Sequence, residues 1–431
     1  SATSVLEIEM RILLITQIVP YPPDSGPKIK THNVLRYLAE RHQVHLVSFA
    51  RSAAEESNAR ELQRYCAGVT TVPLRRSRFL DEAYLARSLA TGRPFLVDRD
   101  DSMAMQEAVL GVLRRQRIDA VHADQLPMAQ FAVDLPVRLR ILDEHNAVWT
   151  IVRRAAAEEM HGPSRMLAEL EWRRLRAYEG EMCRRFDLVI VVSNEDYLSL
   201  AEAAGAVFPA KVVPIAVDTR ELTFAERSSG ARHVVSVATM YYPPNVEGVH
   251  WFATRVFPMV RREVPGTRLY VVGSRPPGKI LRLARPDNGV VVTGYLADLQ
   301  PVLAASAVAV VPVRSGSGMR VKILESFARG IPVVSTTLGA EGIQARAGEH
   351  LLVADSPEDF ARAVAWVLAE PAGAARMARA ARELVESRYE WRTALGGLDE
   401  VYPTFSFRGE VPLPSSRDGG VPPDGGAVAS L

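Results

Sequence analysis

The chain has 431 residues, 48% hydrophobic and 24% charged, with a formal net charge of +2. That length exceeds one ordinary core and that composition belongs to folded chains, so two or three domains are expected and disorder is excluded as the general state. The near-neutral balance gives no reason to expect nucleic acid as a partner, and two cysteines, Cys66 and Cys183, form neither a disulfide framework nor a metal-ligand spacing, which fits a reducing, cytoplasmic setting.

No apolar run reaches the ~18 residues a membrane span needs, and no charged and apolar regions of a signal peptide open the chain. From Met10 onward, Val/Ile/Leu-rich runs recur at α/β spacing: RILLITQIV (11–19), QVHLVSFA (43–50), DAVHAD (119–124), RLRILDEH (138–145) and DLVIVVSN (187–194). Helical patterns such as THNVLRYLAERH and SMAMQEAVLGVLRRQR lie between them. Nearly continuous apolar strands alternating with helices predict a parallel sheet covered on both faces. The long charged stretch 153–187 reads as a solvated helical excursion, and KVVPIAVD (211–218) as a further strand. ERSSGARH (226–233) has linker composition, after which the pattern restarts with HVVSVATM, RLYVVGS, GVVVTGYL, VAVVPV and IPVVSTT. Ser356 and Pro357 carry the start signal of another helix. The expected fold class is α/β, with two Rossmann-like doubly wound domains facing across a cleft. The domains span 10–225 and 226–385, a helix over 386–403 crosses back to the first, and 404–431 is a disordered tail.

The chemistry concentrates in SGSGMRVKILESFARGIPVVSTT, beginning at Ser315. Glycines after a strand let the backbone approach a ligand closely, and the helix that follows offers unpaired N–H groups to an anion. Arg320 and Lys322 at that end oppose the helix dipole, a misfit that a bound diphosphate would offset. Glu325 lies one turn further in, where a carboxylate can accept two hydrogen bonds from vicinal hydroxyls. Gly330 before Pro332 predicts the helix end. The spacing is not the dinucleotide fingerprint, because Val321 stands where a third glycine is required, and no P-loop is present.

These residues strongly resemble the donor-site segment of GT-B glycosyltransferases of family 4, the retaining group 1 enzymes. ATMYYPPNVEGVHWF, GVVVTGYLADLQPVLAASAVAVVPV and GEHLLVADSPEDFARAV extend the resemblance over most of the chain, to about Tyr402. It implies a retaining, metal-independent hexosyltransferase. The donor would be a nucleoside diphosphate sugar, of UDP or GDP type, and the acceptor a glycan, a lipid-linked molecule or a small molecule in glycan biosynthesis. Glu325 matches the second glutamate of the family's E-x7-E motif, which binds the ribose. Ser317 stands where the first, sugar-binding glutamate belongs, leaving sugar contacts to the backbone of Gly318 and Met319. Arg320 and Lys322 take the diphosphate, and Thr293, Gly294 and Tyr295 resemble the place where the base meets backbone groups. By the same resemblance Ser25 and Gly26 form the N-terminal loop that reaches donor phosphates and acceptor. His145, just past a strand end, orients sugar and acceptor.

His122, Asp124, Asp143, Glu144 and Asn146 are secondary candidates for the same cleft. DRDD (98–101) has the D-x-D spacing of manganese sites, but Asp98 or Asp100 is read as the cap of the helix that follows, and no metal is assigned. Arg75, Arg76 and Arg78 beside Phe79, Leu80 and Tyr84 allow peripheral contact with an anionic inner membrane surface or a solvated helix face. Two other readings stay open. A sugar-nucleotide-binding pseudoenzyme would bind donor without transfer. A nucleotide-sugar epimerase or phosphorylase on this architecture would form product without an added acceptor, or would require inorganic phosphate.

Overall fold

A computed structural model describes residues 6–8, 10–158, 162–224, 230–316, 318–403 and 405–407. After β1 (Leu6–Ile8), the strands β2 (Arg11–Thr16), β3 (Gln43–Ala50), β4 (Gly68–Pro73), β5 (Ala120–Asp124), β6 (Leu139–Glu144), β7 (Leu188–Val191) and β8 (Ala210–Val212) form one seven-stranded sheet. The second, six-stranded sheet holds β9 (His233–Val237), β10 (Leu269–Val272), β11 (Val290–Gly294), β12 (Ser306–Val311), β13 (Val333–Ser335) and β14 (Leu352–Val353). Every pairing within both sheets is parallel. Runs such as RILLIT and SAVAVV are buried on both faces because helices cover each side, so they show no polar alternation.

The strand orders are β4-β3-β2-β5-β6-β7-β8 and β11-β10-β9-β12-β13-β14. In each sheet the crossovers run outward in opposite directions from one central pair, β2/β5 in the first and β9/β12 in the second. The loops leaving those strands part there and open a crevice beyond the strand ends, where ligands of such sheets bind. Val192, Ile215 and Val217 of the first half share an apolar cluster with Met319, Val321, Leu324 and Phe327 of the second, so the two units meet through a packed interior.

Several expectations need correction. KVVPIAVD does not form one strand: pairing ends at Val212, Pro214 can donate no ladder bond, and Val217 makes only an isolated bridge to Glu390. The 153–187 stretch is helical as expected, in two helices packed on each other, Val148–Glu158 and Gly162–Arg185, but it is not wholly solvated, since Leu175, Glu179 and Cys183 are buried. The segment 386–403 is not one helix, because Gly396 and Gly397 separate Trp391–Leu395 from Leu398–Val401. Its Trp391, Leu395, Leu398 and Tyr402 enter the core of the first sheet beside Ile12 and Leu14. Phe405–Phe407, assigned to a disordered tail, forms β15 and pairs antiparallel with β1, the alternating FSF run meeting LEI. Residues 408–431 lie outside the described residues.

Neither Asp98 nor Asp100 caps the helix Met103–Arg115; the Ser102 side chain accepts from the Met105 N–H. Both aspartates are buried instead, Asp98 against Arg93 and Asp100 against Arg76 and Gln17. By contrast, Ser356 does accept from the Asp359 N–H at the start of Pro357–Ala369. Among the described residues no helix is long and apolar enough to cross a membrane.

Candidate functional site

The loop after β12 turns on Gly316 (φ 97°) and Gly318 (φ 85°), both left-handed, where a side chain would strain the backbone. The helix Val321–Ala328 follows, with Arg320 as its N-cap residue and Lys322 in its first turn. It ends as the sequence predicts: Gly330 (φ 70°) donates to Phe327 O and Ile331 to Ser326 O, the paired bonds of a Schellman end. Val321, Leu324, Phe327 and Ala328 anchor one face in the apolar cluster. Lys322 and Glu325 lie on the other side, one turn apart, as the 3.6-residue repeat requires.

Lys322 donates to Asn245 Oδ1 at 2.9 Å. Burial, with the Arg320 cation as a second cause, pushes its ammonium down to about 7. Burial also lowers Arg320, and it raises the Glu325 carboxyl against the opposing pull of Arg329. A Cβ placed on Gly316 would lie 3.1 Å from the Tyr242 hydroxyl and 3.2 Å from Arg320 Nη2, so both groups converge on that glycine. Ser317 lies outside the described residues.

The first domain meets this loop at two points. A Cβ on Gly26 would stand 3.5 Å from Val321 Cγ2, and one on Gly318 would stand 3.1 Å from Asn146 Cβ and 3.6 Å from His145 O. Ser25 has extended backbone at the helix N-cap and makes no side-chain cap bond, so its hydroxyl is not used by the helix. The structure thus brings Ser25 and Gly26 beside Val321, and His145 and Asn146 beside Gly318, next to Arg320 and Lys322 where the two domains meet. Met319 buries its side chain in the apolar cluster, so only its backbone can serve a ligand. Thr293, Gly294 and Tyr295 sit apart, at the carboxyl end of edge strand β11, with Tyr295 70% exposed.

Below the cleft is a buried polar network. His145 Nε2 lies 2.9 Å from Asp124 Oδ1, and Asp124 accepts from Thr31 Oγ1 at 3.0 Å. Asp124 therefore holds the ring of His145 instead of facing a ligand. His122, a candidate for the cleft, is fully buried: Nδ1 is 2.7 Å from the Tyr402 hydroxyl and Nε2 is 3.3 Å from Asp143 Oδ2. It sits mid-strand beneath the returning C-terminal segment, too deep for substrate. Asp143 is bound by the Lys30 ammonium. Burial alone would push the Asp143 carboxyl up, but Lys30 and His122 hold it well below the usual carboxylate range. His122, Asp124 and Asp143 bring ligand atoms within 4.8 Å of one another, a grouping that could hold a metal. Lys30 supplies positive charge to it directly.

Glu144 points to the opposite face of β6 from Asp143, as strand alternation demands. Neither of its oxygens has a hydrogen-bond partner among the described residues, and burial with the neighbouring Glu179 raises its pKa well above normal. Glu179 accepts from the Val148 and Trp149 N–H groups, and Asp196 from Ala147, so two buried carboxylates anchor the start of the helix Val148–Glu158. That helix presents Arg154, which donates to Gly316 O at 2.6 Å and grips Glu341 through both oxygens at 2.9 and 3.0 Å. Arg154, Glu341, Tyr242, Asn245 and Lys30 were not among the residues singled out from sequence. YYPPN does follow the strand at the second switch point, which was the available signal for Tyr242 and Asn245. Nothing local marks the other three.

Comparisons with known proteins bear on this cleft. A family model described as Glycosyltransferase Family 4 matches residues 26–221, and one described as Glycosyl transferases group 1 matches 231–370. Glycogen synthase of Mycobacterium tuberculosis is 25% identical over 409 residues, covering 91% of this chain and 94% of that protein. A GDP-mannose-dependent alpha-(1-6)-phosphatidylinositol monomannoside mannosyltransferase of the same organism is 29% identical over 305 residues, covering 62% and 78%. The structure of Anabaena HepE with UDP and glucose has a TM-score of 0.65 at 16% identity, over 91% of this chain and 99% of that one.

Proposed function

Because the chain belongs to the group 1, family 4 glycosyltransferases of GT-B fold, we propose that it transfers a hexose from a nucleoside diphosphate sugar to an acceptor hydroxyl with retention of configuration and without a metal. The observation that carries this reading is the convergence of Arg320, Lys322 and a helix N-terminus on one side of a cleft whose other side holds Gly26 and His145. Charge builds on the β-phosphate as the anomeric C–O bond breaks. Fixed cations and N–H donors stabilise that charge more than they stabilise bound donor. The acceptor oxygen bonds the anomeric carbon on the face the diphosphate leaves, and its proton passes to the departing phosphate oxygen. His145, held by Asp124, positions sugar and acceptor. Glu325 takes the ribose hydroxyls.

Glu325→Ala tests the donor half. Losing two hydrogen bonds to a charged acceptor should cost about 2–3 kcal/mol, a roughly 30- to 150-fold weakening of nucleotide-sugar binding. Titration with UDP- and GDP-sugars measures it and also selects the base; unchanged affinity for the preferred donor would remove Glu325 from the site.

The acceptor reading rests on the first domain's outer surface. Phe79 (84% exposed) and Leu80 lie on the helix Arg78–Thr91, and the helix Gly162–Arg185 exposes Met166 (74%) and Leu167. Arg174 ties the two by donating to Ser88 O at 3.0 Å. Exposed apolar side chains beside Arg75 and Arg78 fit an anionic membrane surface and a lipid-linked acceptor. Arg76 is diverted to Asp100. Phe79→Ser should reduce cosedimentation with phosphatidylglycerol vesicles severalfold; equal binding by both proteins would refute the contact.

A further inference from the structure

The second domain carries a cavity that the donor reading does not use. It has a volume of about 690 Å³ and lies between the helical run from Pro243 to Glu263 and the segment Gly278–Asn288. That volume is in the range of small-molecule sites. Arg261, Arg262, Lys279, Arg282 and Arg285 line it, and no carboxylate does. On a chain of net charge +2, five cations in one concavity are a strong local excess.

The cations are not neutralised by their surroundings. Among the described residues Arg262, Arg282 and Arg285 make no ion pair; only Lys279 has a carboxylate partner, Glu247. Arg261 is fixed by donating to Asp287 O at 2.8 Å, and its Nε is buried with no partner of its own. The loop beneath them is built, not loose: Asn288 accepts from Val290 N at 3.0 Å and donates to Leu283 O at 2.7 Å. Along the opposite wall the helix widens into a π-turn over Phe252–Val256, a local distortion that recurs at ligand sites. Phe257 and Leu283 give the cavity an apolar part. Pro265, Gly266 and Asn288 place it toward the amino ends of β10 and β11, whereas the donor cleft opens beyond the carboxyl ends.

We propose that this cavity binds a soluble phosphate ester, with the arginines on the phosphate and the apolar wall against the carbon skeleton. Planar guanidinium groups match phosphate oxygens two at a time, which point-charge ammonium groups do not. Concavity favours a small ligand over a membrane, because a bilayer presents a surface too flat to reach the recessed Arg261.

Calorimetric titration of the full chain with glucose 6-phosphate, at low and high salt, tests the site. Binding should weaken at least tenfold in the doubly substituted Arg262→Glu/Arg282→Glu protein, and should weaken with added salt. Both positions are exposed, so the fold should persist, and an unchanged urea-denaturation midpoint for the same variant checks it. Lys322→Ala should leave glucose 6-phosphate binding intact, which separates this site from the donor reading. Three results would overturn the proposal: no binding at millimolar ester, equal affinity in the charge-reversed variant, or charge-dependent binding to phosphatidylglycerol vesicles with none to the soluble ester.

Discussion

Replacing Lys322 by alanine is expected to lower kcat/KM for the sugar donor about 10²- to 10³-fold, the cost of removing one preorganised charge from a developing oxyanion. The pH profile gives a sharper check. In the free protein the Lys322 ammonium is pushed down to about 7 by burial, then by Arg320. Only its charged form attracts the diphosphate, so kcat/KM should be full below that pH and fall as pH rises through it. A bound diphosphate favours the cation, which moves the corresponding limb of kcat to higher pH. Lys322→Arg keeps a charge throughout, so its kcat/KM should lose the limb near 7 even if the rate falls. An alanine variant with wild-type kcat/KM would show that Lys322 has no part in transfer.

Lys30→Met should destabilise the protein by about 3–5 kcal/mol, because it leaves Asp143 buried beside His122 without its cation. The midpoint of urea denaturation measures the loss. The double variant Lys30→Met/Asp143→Leu should recover much of it, since removing both charges also removes their desolvation cost. A single variant as stable as the parent would mean that His122 alone compensates Asp143. Ligand atoms of Asp124, which holds His145, lie within 4.8 Å of those of Asp143 and His122, so the ion pair borders the floor of the cleft.

Much of this was legible in the amino acids. The doubly wound class follows from apolar runs separated by helical patterns, and the helix Val321–Ala328 announces its end through Gly330. Ser356 announces the start of another. Arg320, Lys322, Gly318 and Glu325 cluster within one loop and two helical turns, so a local motif was enough to single them out as candidates. Sequence proximity misled where several polar residues shared a strand end. His122, Asp143 and Glu144 were candidates secondary to His145, and the helices covering both faces of the sheet bury all three. Asp98 and Asp100 looked like caps, but long-range arginines claim them.

What the sequence determined by itself is short-range: which segments are strands or helices, where glycine must turn the chain, and which loop sets two cations at the start of a helix. Those follow from backbone sterics and periodicity over a few residues. Only the tertiary structure decided which polar groups meet. Lys30 finds Asp143 across 113 residues and Arg154 finds Glu341 across 187. Their pairing depends on strand order and domain docking, and neighbouring residues carry no record of either. Burial then makes the Lys30–Asp143 pair obligatory, since a charge removed from water must find its partner inside the protein.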